Sequence, residues 1–461
     1  MKGGRSMNRR YELFLYPFFD HTGIARHLER MALKGWELEK TGALWCYRRV
    51  PRQAVHYAVT YFPSSTPLDP APSEQELLFR DFCESAGWEF VAQAGNMQIF
   101  RNLRPDPVPL DTEPEIEVET IHAAMMGSHL KSQGIIAALF ALQLFSLIAR
   151  LMVDPLSILK YGGNLFSALA SLLLLADIAL ETVSYFSWRK RALAEAAEGR
   201  FLPTPGRRWP KALYLLLIGG MFLYYLAMLE GKYLTVGLGT VAIIFSIVGV
   251  MQLIQKKLKQ RGLSGRKNFL VTSILGGCLG LVCTIVLMGF ILLSAMENRY
   301  DGAEAYSVGP VTHYAYHDEL PLYIEDITGA KGSEYSNRLY ESGSFLLRET
   351  QVNIHRRFDA PRNDSLPTSF EYTVRTSPFA FMINLAVEDR IDFYANRTYF
   401  DSRYEPALPL AGAKEAWQLY DEDGARNQYL LRFDGCVMEL SFDFAPTEEQ
   451  LITAVSKLLH Q

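Results

Sequence analysis

The sequence predicts a multi-domain membrane protein: an α+β N-terminal domain, a bundle of five transmembrane helices and an α+β C-terminal domain. Three observations predict it. Apolar runs occupy 133–153, 163–187, 211–229, 233–254 and 269–295, each close to the roughly 20 residues a helix needs to cross a bilayer. Strongly cationic connections alternate with nearly neutral ones between these runs. Charge is also segregated. Residues 1–296 hold 31 Lys+Arg against 23 Asp+Glu, a net +8, whereas 297–461 hold 15 against 27, a net −12. The division points to two environments rather than to a nucleic-acid partner.

The N-terminal domain is expected over 1–104. Met1–Arg10 is basic, but Tyr11–Phe19 is too short and too aromatic for the core of a signal peptide, and no small-residue cleavage site follows. The N-terminus is therefore expected in the cytoplasm. Tyr11–Phe18 reads as a strand and His21–Lys34 as an amphipathic helix with Ile24, Leu28, Met31 and Ala32 on one face. Glu37–Arg49 and Val55–Phe62 read as strands. Ser73 can cap a helix over Glu74–Ser85, with Glu76 at the reciprocal capping position. Phe90–Arg101 closes the domain as a strand pair around Gly95-Asn96. This order, βαββαβ, predicts a ferredoxin-like sandwich. Each helix is followed by Gly-Trp-Glu (Gly35-Trp36-Glu37 and Gly87-Trp88-Glu89), with Gly where a left-handed cap is needed. Trp36 and Trp88 are thus candidate sheet-covering aromatics, either paired core anchors or aromatic ligand contacts.

These residues carry a family resemblance. Phe18-Phe19-Asp20, then Leu28-Glu29, Met31-Ala32, Lys34-Gly35-Trp36 and Leu38, followed by an aromatic strand and Gly87-Trp88-Glu89, resemble the bacterial domain of unknown function 2812. The resemblance covers residues 11–104, about a fifth of the chain. It implies a cytoplasmic module often fused to transmembrane helices, and a bacterial cell membrane as the location. Its members often accompany small transcriptional regulators, which implies a cytoplasmic protein partner. It assigns no catalytic residue.

Residues 105–132 form a linker and connecting helix. Pro105, Pro107, Pro109 and Pro114 predict an extended tether, and Glu115–Lys131 a helix that runs into the first span. The membrane region is 133–296. Its second connection holds Arg189-Lys190-Arg191, Arg208 and Lys211, and its fourth holds Lys256-Lys257, Lys259, Arg261 and Arg266-Lys267. The first and third connections have one lysine each, Lys160 and Lys232. The positive-inside bias places the basic connections in the cytoplasm, and an odd number of spans then places 297–461 outside. Within the spans, Asp177 and Glu181 share a helix face at i, i+4, with Gln143 of the first span as a candidate partner. Intramembrane carboxylates face a bundle interior or a wet cavity, and this polar site is either an ion or proton site or a packing contact. Gly276 and Gly280 form a Gly-x-x-x-Gly, a candidate helix-packing contact that also fits a homo-oligomer.

Residues 297–461 read as an α+β extracytoplasmic domain. Val311–Tyr316, Ser344–Arg356, Ser369–Arg375, Tyr429–Phe433 and Val437–Phe444 favour strands, with hairpin turns at Asp423-Gly424 and Asp434-Gly435. Thr447 and Gln450 form a capping box for a final helix, Glu448–Leu459. Its single cysteine, Cys436, excludes an internal disulfide. His313 and His317 fall in a strand, about 13 Å apart at ~3.3 Å per residue, too far to share a metal. No nucleophile elbow, zinc-protease, Walker or paired Cys-x-x-Cys motif occurs in the sequence. Catalytic, metal and cofactor sites are accordingly expected to be absent. The reading that results is a non-enzymatic sensor or regulatory protein. It has the lipid bilayer as solvent, an extracytoplasmic ligand, a cytoplasmic protein partner and no direct contact with nucleic acid. The alternative is a transporter or transporter accessory subunit using Asp177 and Glu181.

Overall fold

A computed structural model describes residues 9–42, 44–64, 68–206, 208–228, 231–297, 300–329, 334–361, 366–395 and 402–459. The chain divides into two compact units, Met1–Leu144 with Leu169–Val286, and Phe145–Ala168 with Leu287–Gln461.

The first unit opens with β1 (Arg9–Leu13), α1 (His21–Leu33), β2 (Trp36–Lys40) and β3 (Leu44–Arg49). The same succession then recurs as β4 (His56–Tyr61), α2 (Glu74–Ser85), β5 (Glu89–Ala94) and β6 (Met97–Asn102). Each half makes its own antiparallel three-stranded sheet, in order β1-β3-β2 and β4-β6-β5. The module is therefore a tandem βαββ duplication. A ferredoxin-like sandwich would have joined four strands in one sheet. The difference arises at Thr41-Gly42, where 37–49 folds back as the hairpin β2–β3 instead of running on as one strand.

The two helices start and stop for local reasons. The Asp20 carboxylate accepts from the Gly23 amide at 3.2 Å and caps α1. Ser73 Oγ accepts from the Glu76 amide at 3.1 Å and caps α2. The reciprocal half of that box is not made, because Glu76 turns inward and accepts from Arg80 (2.6 Å) and Gln98 (2.9 Å). Both helices end before a glycine in the left-handed region, Gly35 at φ 79° and Gly87 at φ 89°. Ile24, Leu28, Met31 and Ala32 of α1 are buried against Tyr57, Val59 and Tyr61 of β4 in a core that both halves share. Trp88 is buried, and its indole N–H donates to the Val108 carbonyl at 2.8 Å. Trp36 is half-buried under the Arg49 guanidinium, 5.0 Å from the ring centre.

Membrane-type helices follow. α3 (Pro114–Ala124) passes through a π-helical turn (Met125–His129) into α4 (Leu130–Val153). After α5 (Pro155–Lys160) come α6 (Gly162–Ala196), α7 (Trp209–Met228), α8 (Gly231–Gln260) and α9 (Gly265–Glu297). Five helices among the described residues are long and apolar enough to cross a membrane, over Pro114–Val153, Gly162–Ala196, Trp209–Ala227, Gly237–Gln260 and Gly265–Gly289. They coincide with the five apolar runs of the sequence.

The second unit is a mixed α/β domain. The hairpin β7 (Glu304–Val308) and β8 (Val311–Ala315) precedes a short helix, α10 (Glu325–Thr328). A seven-stranded antiparallel sheet then runs β12-β13-β14-β15-β11-β10-β9. Its strands are β9 (Tyr335–Gly343), β10 (Arg348–Arg356), β11 (Ser369–Thr376), β12 (Arg403–Ala407), β13 (Glu415–Asp421), β14 (Gly424–Phe433) and β15 (Cys436–Phe442). Alternation sorts the side chains between two faces. Tyr372, Leu431, Met438 and Leu440 join Leu451, Val455 and Leu458 of α12 (Glu448–Leu459) in the larger core. Leu430 and Val437 point the other way, against Met382, Ile383, Ala386 and Val387 of α11 (Ala380–Ala395) and Leu156 of α5. The capping box of α12 is formed both ways: Gln450 N–H donates to Thr447 Oγ1 at 3.3 Å, and Thr447 N–H donates to Gln450 Oε1 at 2.9 Å.

Candidate functional site

Helix α6 carries one buried stripe along its second half: Glu181, Tyr185, Trp188, Ala192 and Ala196. The spacing of three and four residues keeps them on one face. That face enters the core of the N-terminal module. Phe19 meets the rings of Tyr185 and Trp188 at 5.5 and 5.7 Å. The Tyr185 hydroxyl lies 2.7 Å from His122 Nδ1 of α3, and the Trp188 indole donates to the Leu202 carbonyl at 3.2 Å.

Glu181 heads the stripe, with only 3% of its side chain exposed. Burying a carboxylate without partners costs several kcal/mol, and here four groups satisfy it. His129 Nε2 lies 3.0 Å from Oε1, Lys211 Nζ 2.7 Å from Oε2, and Gln133 Nε2 3.5 Å from Oε2. The fourth is the backbone N–H of Phe18, which donates to Oε1 at 3.2 Å. The Phe18 ring stacks on His129, with centroids 4.8 Å apart and planes 12° apart. The carboxylate thus joins the start of α4, the middle of α6, the start of α7 and the loop between β1 and α1. His129 closes the π-helical turn, a register break that recurs at functional positions in helices.

The sequence pair is split by this arrangement. Asp177, one turn before Glu181, is half-buried, within electrostatic reach of Lys211 but with no hydrogen bond or ion pair among the described residues. Gln143 is exposed on α4 and takes no part; the amide at Glu181 is Gln133, ten residues earlier. His129, Gln133, Lys211 and Phe18 were not legible as a set. They come from three separate segments, His129 and Gln133 sharing one, and Lys211 reads in sequence only as an inside-positive charge. Gly276 faces α8, where an added Cβ would sit 3.5 Å from Met251 Cε, whereas Gly280 has open space beside it.

Residues 203–206 and Arg208 fasten to the same module. Thr204 and Thr22 hydroxyls lie 2.6 Å apart, the Gly206 amide donates to Asp20 Oδ1 at 3.2 Å, and Arg208 pairs with Glu12 at 3.2 Å. Beneath it, burial pushes the His27 imidazole down to about 4, against the pull of Glu12 beside it. Across the module, burial pushes the Asp111 carboxyl up to about 6, and Glu117 adds to the effect.

A second buried polar network lies under α11 in the other unit. Glu439 accepts from Tyr404 (3.1 Å), Gln428 (2.8 Å) and Arg390 (2.5 Å). Arg375 and Lys160 both reach Glu349 at 2.7 Å. Burial opposes the charge of Glu349, but Arg375 and Lys160 hold its carboxyl below the usual range. His313 and His317 take separate partners, Tyr306 and Glu304. No group of three metal-ligating side chains occurs among the described residues.

The class these features define is a multi-pass membrane protein with an N-terminal α/β module seated on its membrane helices. Residues 22–126 match the family described as Protein of unknown function (DUF2812). That stretch runs from α1 to the start of the π-helical turn, so Phe18, His129, Gln133, Glu181 and Lys211 all lie outside it. No curated protein and no solved structure matches the chain.

Proposed function

We propose that the protein is a non-enzymatic sensor or regulatory protein of the bacterial cell membrane. Its N-terminal module lies in the cytoplasm and its C-terminal domain outside. In this reading the outer domain binds a ligand or an envelope partner, and the inner module carries the state to a cytoplasmic protein. The observation that carries it is the engagement of Glu181. A carboxylate held by three side chains and a backbone amide works as a fixed joint, so displacement of α6 is felt at Phe18 and in the module behind it. The same 35-residue helix begins one residue after α5, beyond the extended Tyr161, and Lys160 of α5 is tied to Glu349 of the C-terminal sheet. The experiment is crosslinking and pull-down from native membranes, with the full chain and with a chain lacking 297–461. The deletion is expected to change the set of proteins bound by the module. An identical set from both chains rules out signalling from the outer domain.

A further inference from the structure

The two arginines on the outer side of α1 are not used by the joint at Glu181. Arg26 and Arg30 stand one helical turn apart and line a cleft of about 420 Å³ with Glu29, Leu33, Pro205 and Gly206. The cleft is roofed by loop 203–206, which the Thr22–Thr204 contact pins to the start of α1. Arg26 helps to hold this roof, donating from Nη2 to the Thr204 carbonyl at 3.0 Å. Arg30 donates only from Nε, to the Arg26 carbonyl at 3.2 Å, and its two Nη groups have no partner among the described residues. The one acid in the lining, Glu29, is already committed, accepting from the Tyr57 amide at 3.3 Å and lying 3.8 Å from His56. The cleft therefore presents uncommitted positive charge between two apolar walls, Leu33 and Pro205.

Its position narrows the ligand. Gly206 is three residues before Trp209, where α7 and its apolar segment begin. Three residues span at most about 10 Å, comparable to the headgroup layer of a bilayer. Trp209 is 64% exposed at that helix start, as an aromatic at the membrane–water boundary would be. A lipid phosphate at that level would come within reach of the guanidinium groups, with its glycerol and first methylenes against the apolar walls. Guanidinium binds phosphate through paired N–H donors. Basic clefts beside membrane helices are general sites for acidic headgroups.

We propose that this cleft binds the phosphate headgroup of an anionic phospholipid, so that the duplicated module is held to the membrane surface by a lipid as well as by protein contacts. The test is native mass spectrometry of the full chain released from nanodiscs that mix phosphatidylglycerol with phosphatidylcholine. The wild-type chain is expected to retain one phosphatidylglycerol in preference to phosphatidylcholine. Arg30→Gln, which touches no contact of the fold beyond one local hydrogen bond, is expected to lower that retention about tenfold, the effect of losing one charge-assisted contact. Arg191→Gln, an exposed basic position outside the cleft, is expected to leave it unchanged. Equal retention of the two lipids, or an Arg30→Gln chain that behaves as wild type, overturns the proposal. So does a loss as large with Arg191→Gln, which would mean unspecific attraction. Displacement of the lipid by millimolar inorganic phosphate also overturns it, since the cleft would then serve a soluble phosphate.

Discussion

His27 and Asp111 are displaced from their ordinary values in opposite directions, so they tilt stability with pH in opposite senses. His27 is held at about 4, below the ordinary histidine value, because burial disfavours its charge. The unfolded chain then binds the extra proton, and this contribution rises as pH climbs from about 4 to 6.5. Asp111 is held at about 6, above the ordinary carboxyl value, so there the folded chain binds the extra proton. That contribution falls as pH climbs from about 4 to 6. The two tilts oppose each other in the wild-type chain, and each variant is compared with the wild-type profile. Asp111→Asn should leave a profile that rises with pH, and His27→Gln one that falls. Melting curves in detergent at pH 4, 5, 6 and 6.5 check this, and parallel profiles for the two variants would refute it. Neither shift was legible in the sequence. His27 is one polar residue in an amphipathic helix, and Asp111 sits in a proline-rich stretch that reads as solvated tether. Their environments are made by residues far away in the chain.

Elements were legible where their signals are local. Both helices of the N-terminal module follow from their caps and terminal glycines, the membrane helices from apolar length, and α12 from its capping box. Elements that depend on tertiary neighbours were not. β9, Tyr-Ser-Asn-Arg-Leu-Tyr-Glu-Ser-Gly, carries no alternation, and β12 contains Pro406, which suits an edge strand and hides it. α11 was missed because apolar residues also stand off its buried stripe of Met382, Ile383, Ala386 and Val387, with Phe381 and Phe393 exposed, which blurs the period. The carboxylate of α6 was visible, but its partners were not, since a helical period says which face Glu181 takes and nothing about what arrives there. The seat it makes is testable. Glu181→Gln leaves Lys211 without a counter-charge and is expected to cost about 3 kcal/mol, within the usual range for breaking a buried pair. Adding Lys211→Met should recover part of that loss, because removing both charges is far less costly than removing one. Thermal unfolding of the two variants measures it. A double variant no more stable than Glu181→Gln would show that the pair is not the source of the effect.

For the whole molecule, the number of membrane helices decides which faces the two ends occupy. In the proposed orientation five crossings would leave the termini on opposite sides, with the cationic connections around Arg189–Lys211 and Lys256–Lys267 inside. A fluorescent protein fused before residue 1 is expected to fluoresce, and a phosphatase fused after residue 461 to be active only when exported. Both reporters active in one compartment would remove a crossing and the sensor reading with it. The five membrane-type helices were legible from composition alone, since apolar length acts at the scale of whole segments. The duplication was only half legible. The repeated Gly-Trp-Glu announced it, but the shared sheet order became visible only once 37–49 was seen to be a hairpin.

That repeat has produced two helices with unequal duties. The first spends its greasy side inside the common core, with Ile24 and Leu28 essentially shielded, while its counterpart shows Leu78 and Phe82 to the surroundings at 67% and 66%. The second still buries Cys83 beside Trp88 and Phe100, so its support comes from one side alone, and substitutions at Leu78 and Phe82 on the other side carry little structural penalty.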